Sequence, residues 1–262
     1  MWDSHCHLQL DPLFERAGSE LDQASHRGIE GVVVPAYGPE QWDRQTALLK
    51  YSTVRVAFGI HPWCVPGSDV VCLTRLLEAN FAKYADLWGE HLVAVGEFGL
   101  DRSNKGFKDC FEAQVQLCHQ HLRLAEREGL PVILHVVRCH GRALEVLEQH
   151  RPGQGVIHSY SGPPELLPDF LRLGLSVSFG GNILHSERAR KSLKTTPPEA
   201  ILFETDGPAG NGLSNAGESG PKNLQEVLQA ASSILGKSIE WCRSVHNENT
   251  TRVFRLNDPK EN

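Results

Sequence analysis

A chain of 262 residues, 40% hydrophobic and 22% charged, carries enough apolar material for a large core and gives little reason to expect disorder. Its formal net charge of −6 argues against a protein that holds long duplex nucleic acid by neutralising many phosphates on a basic face. The seven cysteines, Cys6, Cys64, Cys72, Cys110, Cys118, Cys139 and Cys242, are odd in number, scattered and never spaced Cys-x-x-Cys, which argues against a disulfide framework or a zinc ribbon.

The chain opens without a basic start followed by an apolar stretch, and no later run is long and apolar enough to span a bilayer, so a cytoplasmic protein is expected. A strand is predicted over 2–8 and a helix over 20–27; then strand 31–36 and helix 41–51, strand 55–60 and helix 73–88, strand 92–98 and helix 110–128. The alternation continues with strand 131–136 and helix 142–149, strand 155–160 and helix 165–173, strand 176–179 and helix 187–193, and strand 201–205; helices 224–235 and 240–254 close the chain. Each strand is a short β-branched or apolar run and each helix a stretch with apolar residues at helical spacing. Alternating strand and helix implies parallel strands joined by crossovers. Eight such units in a chain of this length, undivided by a Pro/Ser-rich linker, predict a single domain over 1–262 folded as a (β/α)₈ barrel of the TIM type.

The polar residues at the strand ends favour the barrel over an open sheet. His5-x-His7 ends the first strand, where side chains two apart face the same side, so that both imidazoles can face one metal while Cys6 points away. Glu97 ends the fourth strand after a buried apolar run, where an unpaired charge is expensive and a metal or an Arg partner is needed. His135 and His158 each follow an apolar run at the ends of strands five and six, and Asp206 follows strand eight; Glu204 is expected to face the other layer, and Asp101 to be a loop or cap residue. A closed barrel gathers all these positions at its C-terminal face.

Four histidines and two carboxylates exceed the three protein ligands of one catalytic zinc and suit two divalent ions, Mg²⁺, Mn²⁺ or Zn²⁺, bridged by Glu97. Such a pair suits the in-line displacement of a phosphate ester. His61, in Gly59-Ile60-His61-Pro62-Trp63, ends strand three and is placed to hydrogen-bond a substrate phosphate or leaving group, or else is a turn histidine before proline. Basic residues at Arg102, Lys105 and Lys108, at Arg138 and Arg142, and at Arg188, Arg190, Lys191 and Lys194 follow strand ends and are candidates for phosphate binding or for a solvated helix face. The stretch 207–221 is expected to be a mobile substrate loop. With no global basicity, a nucleic-acid substrate is expected to be gripped locally, at ends or as short strands.

Together these residues resemble the TatD family of metal-dependent deoxyribonucleases within the amidohydrolase-like barrels. The resemblance is carried by Asp3-Ser4-His5-Cys6-His7, Gly59-Ile60-His61-Pro62, Val95-Gly96-Glu97-Phe98-Gly99-Leu100-Asp101, Leu130-Pro131-Val132-Ile133-Leu134-His135, Val156-Ile157-His158-Ser159-Tyr160-Ser161-Gly162, Glu204-Thr205-Asp206-Gly207-Pro208 and Asn249-Thr250-Thr251-Arg252-Val253-Phe254, in family order along nearly the whole chain. It implies a metal-dependent DNase, often a 3′ to 5′ exonuclease on single strands. His5, His7, Glu97 and Asp206 would hold one ion and Glu97, His135 and His158 the other, with Asp206 able to take a proton from the attacking water. The Ser-Arg pair that commonly follows the fifth-strand histidine is Val136-Val137 here, with Arg138 one place later as the candidate phosphate contact. The family's Asn-Glu-Pro after strand eight appears as Ser219-Gly220-Pro221. An amidohydrolase or lactonase on the same barrel, or a non-catalytic metal-binding barrel, are the alternative readings.

Overall fold

The structure, a computed structural model, describes residues 1–210, 212–213 and 217–256. Strands and helices alternate as β1 (Trp2–Asp3), α1 (Ala17–Ser25), β2 (Gly31–Val34), α2 (Trp42–Leu48), β3 (Val54–Phe58) and α3 (Val70–Trp88). They continue as β4 (Leu92–Asp101), α4 (Lys105–Asp109), α5 (Phe111–Glu128), β5 (Val132–Val137), α6 (His140–His150), β6 (Gly155–Ile157) and α7 (Leu167–Arg172). The last elements are β7 (Leu175–Phe179), α8 (Glu187–Thr195), β8 (Ile201–Phe203), α9 (Leu224–Leu235) and α10 (Ile239–Phe254). The eight strands pair in sequence order, every pairing parallel. This is a TIM barrel, and all eight predicted strands are present.

The seam between β8 and β1 is closed by a mixture of backbone and side-chain bonds. Asp206 N–H donates to His5 C=O at 2.9 Å and His7 N–H to Gly207 C=O at 2.8 Å. Buried Asp3 accepts from the Thr205 hydroxyl at 2.6 Å and from Thr205 N–H at 3.1 Å. From α10, His246 spans the same gap lower down: its Nδ1 accepts from Phe203 N–H at 3.0 Å and its Nε2 donates to Trp2 C=O at 2.6 Å.

The barrel interior follows the period of two along each strand. Val33, Ala57, Ala94, Ile133, Val156 and Leu202 fill it, and Val253 and Phe254 at the end of α10 pack into the same cluster. A second, larger apolar shell lies between strands and helices and includes Cys6. Side chains two places beyond the inner layer, His135 after Ile133 and His158 after Val156, therefore rise from the apolar plug into the C-terminal face. Among the described residues no helix is long and apolar enough to cross a membrane.

Strand β4 departs from regular pairing where it matters most. Val95 stands opposite Val132 but Phe98 stands opposite Leu134, so β4 spends one more residue than β5 over this interval. The extra residue is a bulge at Gly96-Glu97, the device that re-aims a side chain within a ladder. Gly99, at φ +149°, permits the close approach that follows: a Cβ there would stand 2.0 Å from the His135 carbonyl oxygen.

Candidate metal centre

Glu97 is buried at the centre of the C-terminal face, and its two oxygens look in different directions. Oε2 lies 3.1 Å from His5 Nε2 and 3.2 Å from His7 Nε2. Asp206 closes this side, its Oδ1 3.7 Å and 3.8 Å from the same two nitrogens. Oε1 lies 2.8 Å from His158 Nε2, 2.9 Å from His135 Nδ1 and 3.1 Å from His61 Nε2. The structure thus brings His5, His7, Glu97, His135, His158 and Asp206 to one place, with His61 beside them.

The hydrogen bonds behind each ring assign its protons. His135 Nε2 donates to Asp101 Oδ2 at 3.0 Å, which leaves Nδ1 as a bare lone pair toward Glu97. His158 Nδ1 donates to Glu204 Oε1 at 3.3 Å, which leaves Nε2 bare toward the same oxygen. His61 is the reverse case: its Nδ1 accepts from Trp63 N–H at 3.1 Å, so in the neutral ring the proton sits on Nε2 and points into the site. Burial pushes His61 down to about 3, which keeps it neutral.

With both rings neutral, two bare nitrogens aimed at one carboxylate oxygen repel it unless a cation, or a proton in its place, stands between them. The same demand shows in the titration: burial opposes a charge on His158, yet Glu97 and Glu204 drive its pKa well above the usual value. Burial would raise Glu97, but His158, His61 and His5 together with the His135 hydrogen bond hold it well below its ordinary range. Glu97 Oε2 is buried with no hydrogen bond, and His5 Nδ1 has none either. On geometry, His5, His7 and Glu97 form one group able to hold a metal ion; His5, His158 and Asp206, and His61, Glu97 and His135, form others. The chemistry of this donor set fits divalent cations.

Asp101 and Glu204 correct the reading of the sequence. Asp101 is the buried last residue of β4, accepting from His135, from Trp63 Nε1 at 2.8 Å and from Ser103 N–H at 2.6 Å. Glu204 faces into the barrel, bonded to His158 and to the Ser178 hydroxyl. Both were discoverable by parity. Asp101 is four residues after Glu97, and Glu204 lies midway between inward Leu202 and Asp206, so period-two alternation places each on the inner face.

All the donors except fully buried His5 line a cavity of about 540 Å³ whose walls include Leu10, Tyr37, Trp63, Val136 and Val137. Arg138 does not line it; this residue is exposed at φ 57° and donates to the Ser103 carbonyl at 3.3 Å. Arg102 sits over the Phe111 ring, 4.8 Å from its centroid, and Arg142 pairs with Glu145 at 2.8 Å. Arg188, Arg190, Lys191 and Lys194 line a separate groove between α8 and α9. Of the predicted substrate loop, Pro208, Ala209 and Gly212 line the cavity, while 211 and 214–216 lie outside the described residues. At Gly220 a Cβ would stand 2.4 Å from Glu20 Oε2, so the carboxylate of α1 occupies the space a side chain there would need.

Over residues 2–255 the sequence matches the family described as TatD related DNase. The chain belongs to that family. Among TatD relatives, the uncharacterized metal-dependent hydrolase YjjV of Escherichia coli is 34% identical over 210 residues, 79% of this chain and 78% of that one. The crystal structure of E. coli YjjV, a TatD homolog, superposes with a TM-score of 0.87 at 29% identity, covering 97% of this chain and 98% of that one. A TatD protein of Dickeya dadantii named as a 3′-5′ ssDNA/RNA exonuclease is 29% identical over 211 residues, 75% of each chain. The chain is therefore a metal-dependent hydrolase of the TatD family.

Proposed function

We propose that the protein is a metal-dependent deoxyribonuclease that hydrolyses phosphodiester bonds, acting 3′ to 5′ on single-stranded DNA ends. The observation that carries this reading is Glu97, whose two oxygens each face their own set of imidazole nitrogens. His5, His7, Glu97 and Asp206 would hold one ion, and Glu97, His135 and His158 the other. Two divalent ions supply there the Lewis acidity that activates water near neutral pH and stabilises the leaving oxygen of an in-line displacement.

The chain's own groups do the rest. Asp206, only partly buried and turned out of β8 at φ 51°, offers a carboxylate at the cavity wall that can accept the proton of the attacking water. His61 presents a neutral Nε2–H toward the centre, suited to donate to a phosphate oxygen or leaving group. The substrate preference is supported by the Dickeya relative's printed name and by the negative net charge, which favours short or single strands over long duplex.

Digestion of end-labelled single strands tests the reading. Chelation is expected to abolish shortening and added Mg²⁺ or Mn²⁺ to restore it, while Glu97→Ala loses at least about 10³-fold in rate with an unchanged circular dichroism spectrum. Shortening by fully metal-stripped protein ends the metal mechanism. Turnover of lactones with intact oligonucleotides would replace the nuclease reading with the lactonase one.

A further inference from the structure

We infer that Trp63 is a base-stacking residue of this site, holding the end base of a single strand at the cavity mouth; the inference rests on the nuclease reading above. Its indole is 46% exposed and lines the cavity together with Glu97 and Asp206. It is the one aromatic ring among the large, well-exposed hydrophobic side chains of the described residues. A floppy surface tryptophan would carry little meaning, but this ring is held on several sides. Its Nε1–H donates to Asp101 at 2.8 Å, and its backbone N–H donates to His61 at 3.1 Å. Phe107 of α4 lies parallel to it, 9° between planes and 5.8 Å between centroids. Tyr37, His61 and His135 meet it edge to face.

The indole is thus a rigid aromatic surface whose centroid lies 5.0 Å from the His61 ring and 5.9 Å from the His135 ring. A phosphodiester seated at the donor set leaves its adjoining nucleoside within reach of that surface. The cavity offers little else for grip, since among the described residues none that lines it is an arginine or lysine. Stacking on an aromatic face tolerates every base and needs no counter-charge, which suits a site that must take whatever nucleotide comes next. Binding is expected to depend weakly on salt for the same reason.

Two variants separate stacking from support. Trp63→Phe and Trp63→Ala both lose the indole N–H that holds Asp101, so any fall in kcat transmitted through His135 is common to both; only the ring differs. On a short single strand with a normal 3′ end, the KM of Trp63→Ala is expected about tenfold above that of Trp63→Phe. On the same strand ending in an abasic nucleotide the two variants are expected to agree. Binding of a labelled trinucleotide to metal-free protein should show the same tenfold split.

Equal KM and equal binding for the two variants on the normal strand would overturn the inference and reduce Trp63 to a positioning residue for Asp101. If wild-type protein shortens no strand while binding still depends on the ring, the nuclease reading fails and the stacking stands.

Discussion

The carboxylate behind His135 decides what that histidine can do. Asp101 accepts the Nε2–H hydrogen bond and thereby aims Nδ1, bare in the neutral ring, at Glu97, the arrangement by which outer carboxylates orient metal-binding imidazoles. Asp101→Asn keeps the size but removes the charge, and a fall in metal affinity of roughly 10- to 100-fold is expected, with folding stability little changed. Competition against a chromophoric chelator measures it, and unchanged affinity would show that backbone packing alone orients the ring. The six donors were legible in the sequence on different grounds: Glu97, His135 and His158 follow apolar runs, His5 and His7 form a His-x-His pair, and Asp206 follows the eighth strand. Their supporting carboxylates were not: Asp101 lies between Leu100 and Arg102, four residues past Glu97, and Glu204 between Phe203 and Thr205, two residues short of Asp206, so each gains meaning only once the strand's parity is followed. Tautomers are beyond any sequence reading, because the proton on His61 Nε2 is fixed by the amide of Trp63, a backbone group.

At the level of elements, the strands were legible as apolar runs, but their ends were not. Predicted strands 2–8, 155–160 and 201–205 pair over Trp2–Asp3, Gly155–Ile157 and Ile201–Phe203 only. The ladder ends close to those points, with His158 N–H to Leu134 C=O at 3.0 Å extending the β5–β6 pairing by one bond, and the residues at and just past these ends carry the ligands. The turn after β8 puts Asp206 itself in the left-handed region and the one after β6 does the same to Ser159 at φ 44°, conformations that cost energy and cluster at working sites. The bulge in β4 has no signature except two glycines. Gly99→Ala should show what that bulge needs: its methyl would collide with the His135 carbonyl at an already unfavourable φ, so a loss of about 3 kcal/mol or more is expected in urea unfolding, with weaker metal binding. Wild-type stability in this variant would mean that β4 and β5 can separate without cost.

For the whole molecule, closure of the barrel rests on neutral histidines that the sequence left without a role. His246 bridges β8 and β1, and His121 of α5 accepts Ile60 N–H at 2.9 Å beyond β3. Burial pushes both down to about 4 from an ordinary 6.5. The sign follows from proton counting: between those values the unfolded chain binds protons that the folded one refuses, so the contribution of these two histidines to stability is complete above about pH 6.5 and declines as pH falls toward 4. Each histidine can withdraw on the order of 3 kcal/mol over that window. His246→Ala is expected to cost about 2–4 kcal/mol at pH 7, because Phe203 N–H and Trp2 C=O lose their partner, and to flatten the decline below pH 6.5. Thermal unfolding across pH 4 to 8 checks both; a slope unchanged by the substitution would remove His246 from the account.

The seam also fixes an order of events during synthesis. His5 and His7 emerge first, yet the carboxylate that closes their side of the centre is Asp206, and the ring that bridges their strand to its neighbour is His246. At about 5–20 residues per second, the early histidines wait on the order of ten seconds or more on the ribosome with their partners unmade. Until the stretch carrying Asp206 has left the exit tunnel and docked, the nascent chain has loose imidazoles but no assembled centre, so the donor set comes together long after its first strand has been made.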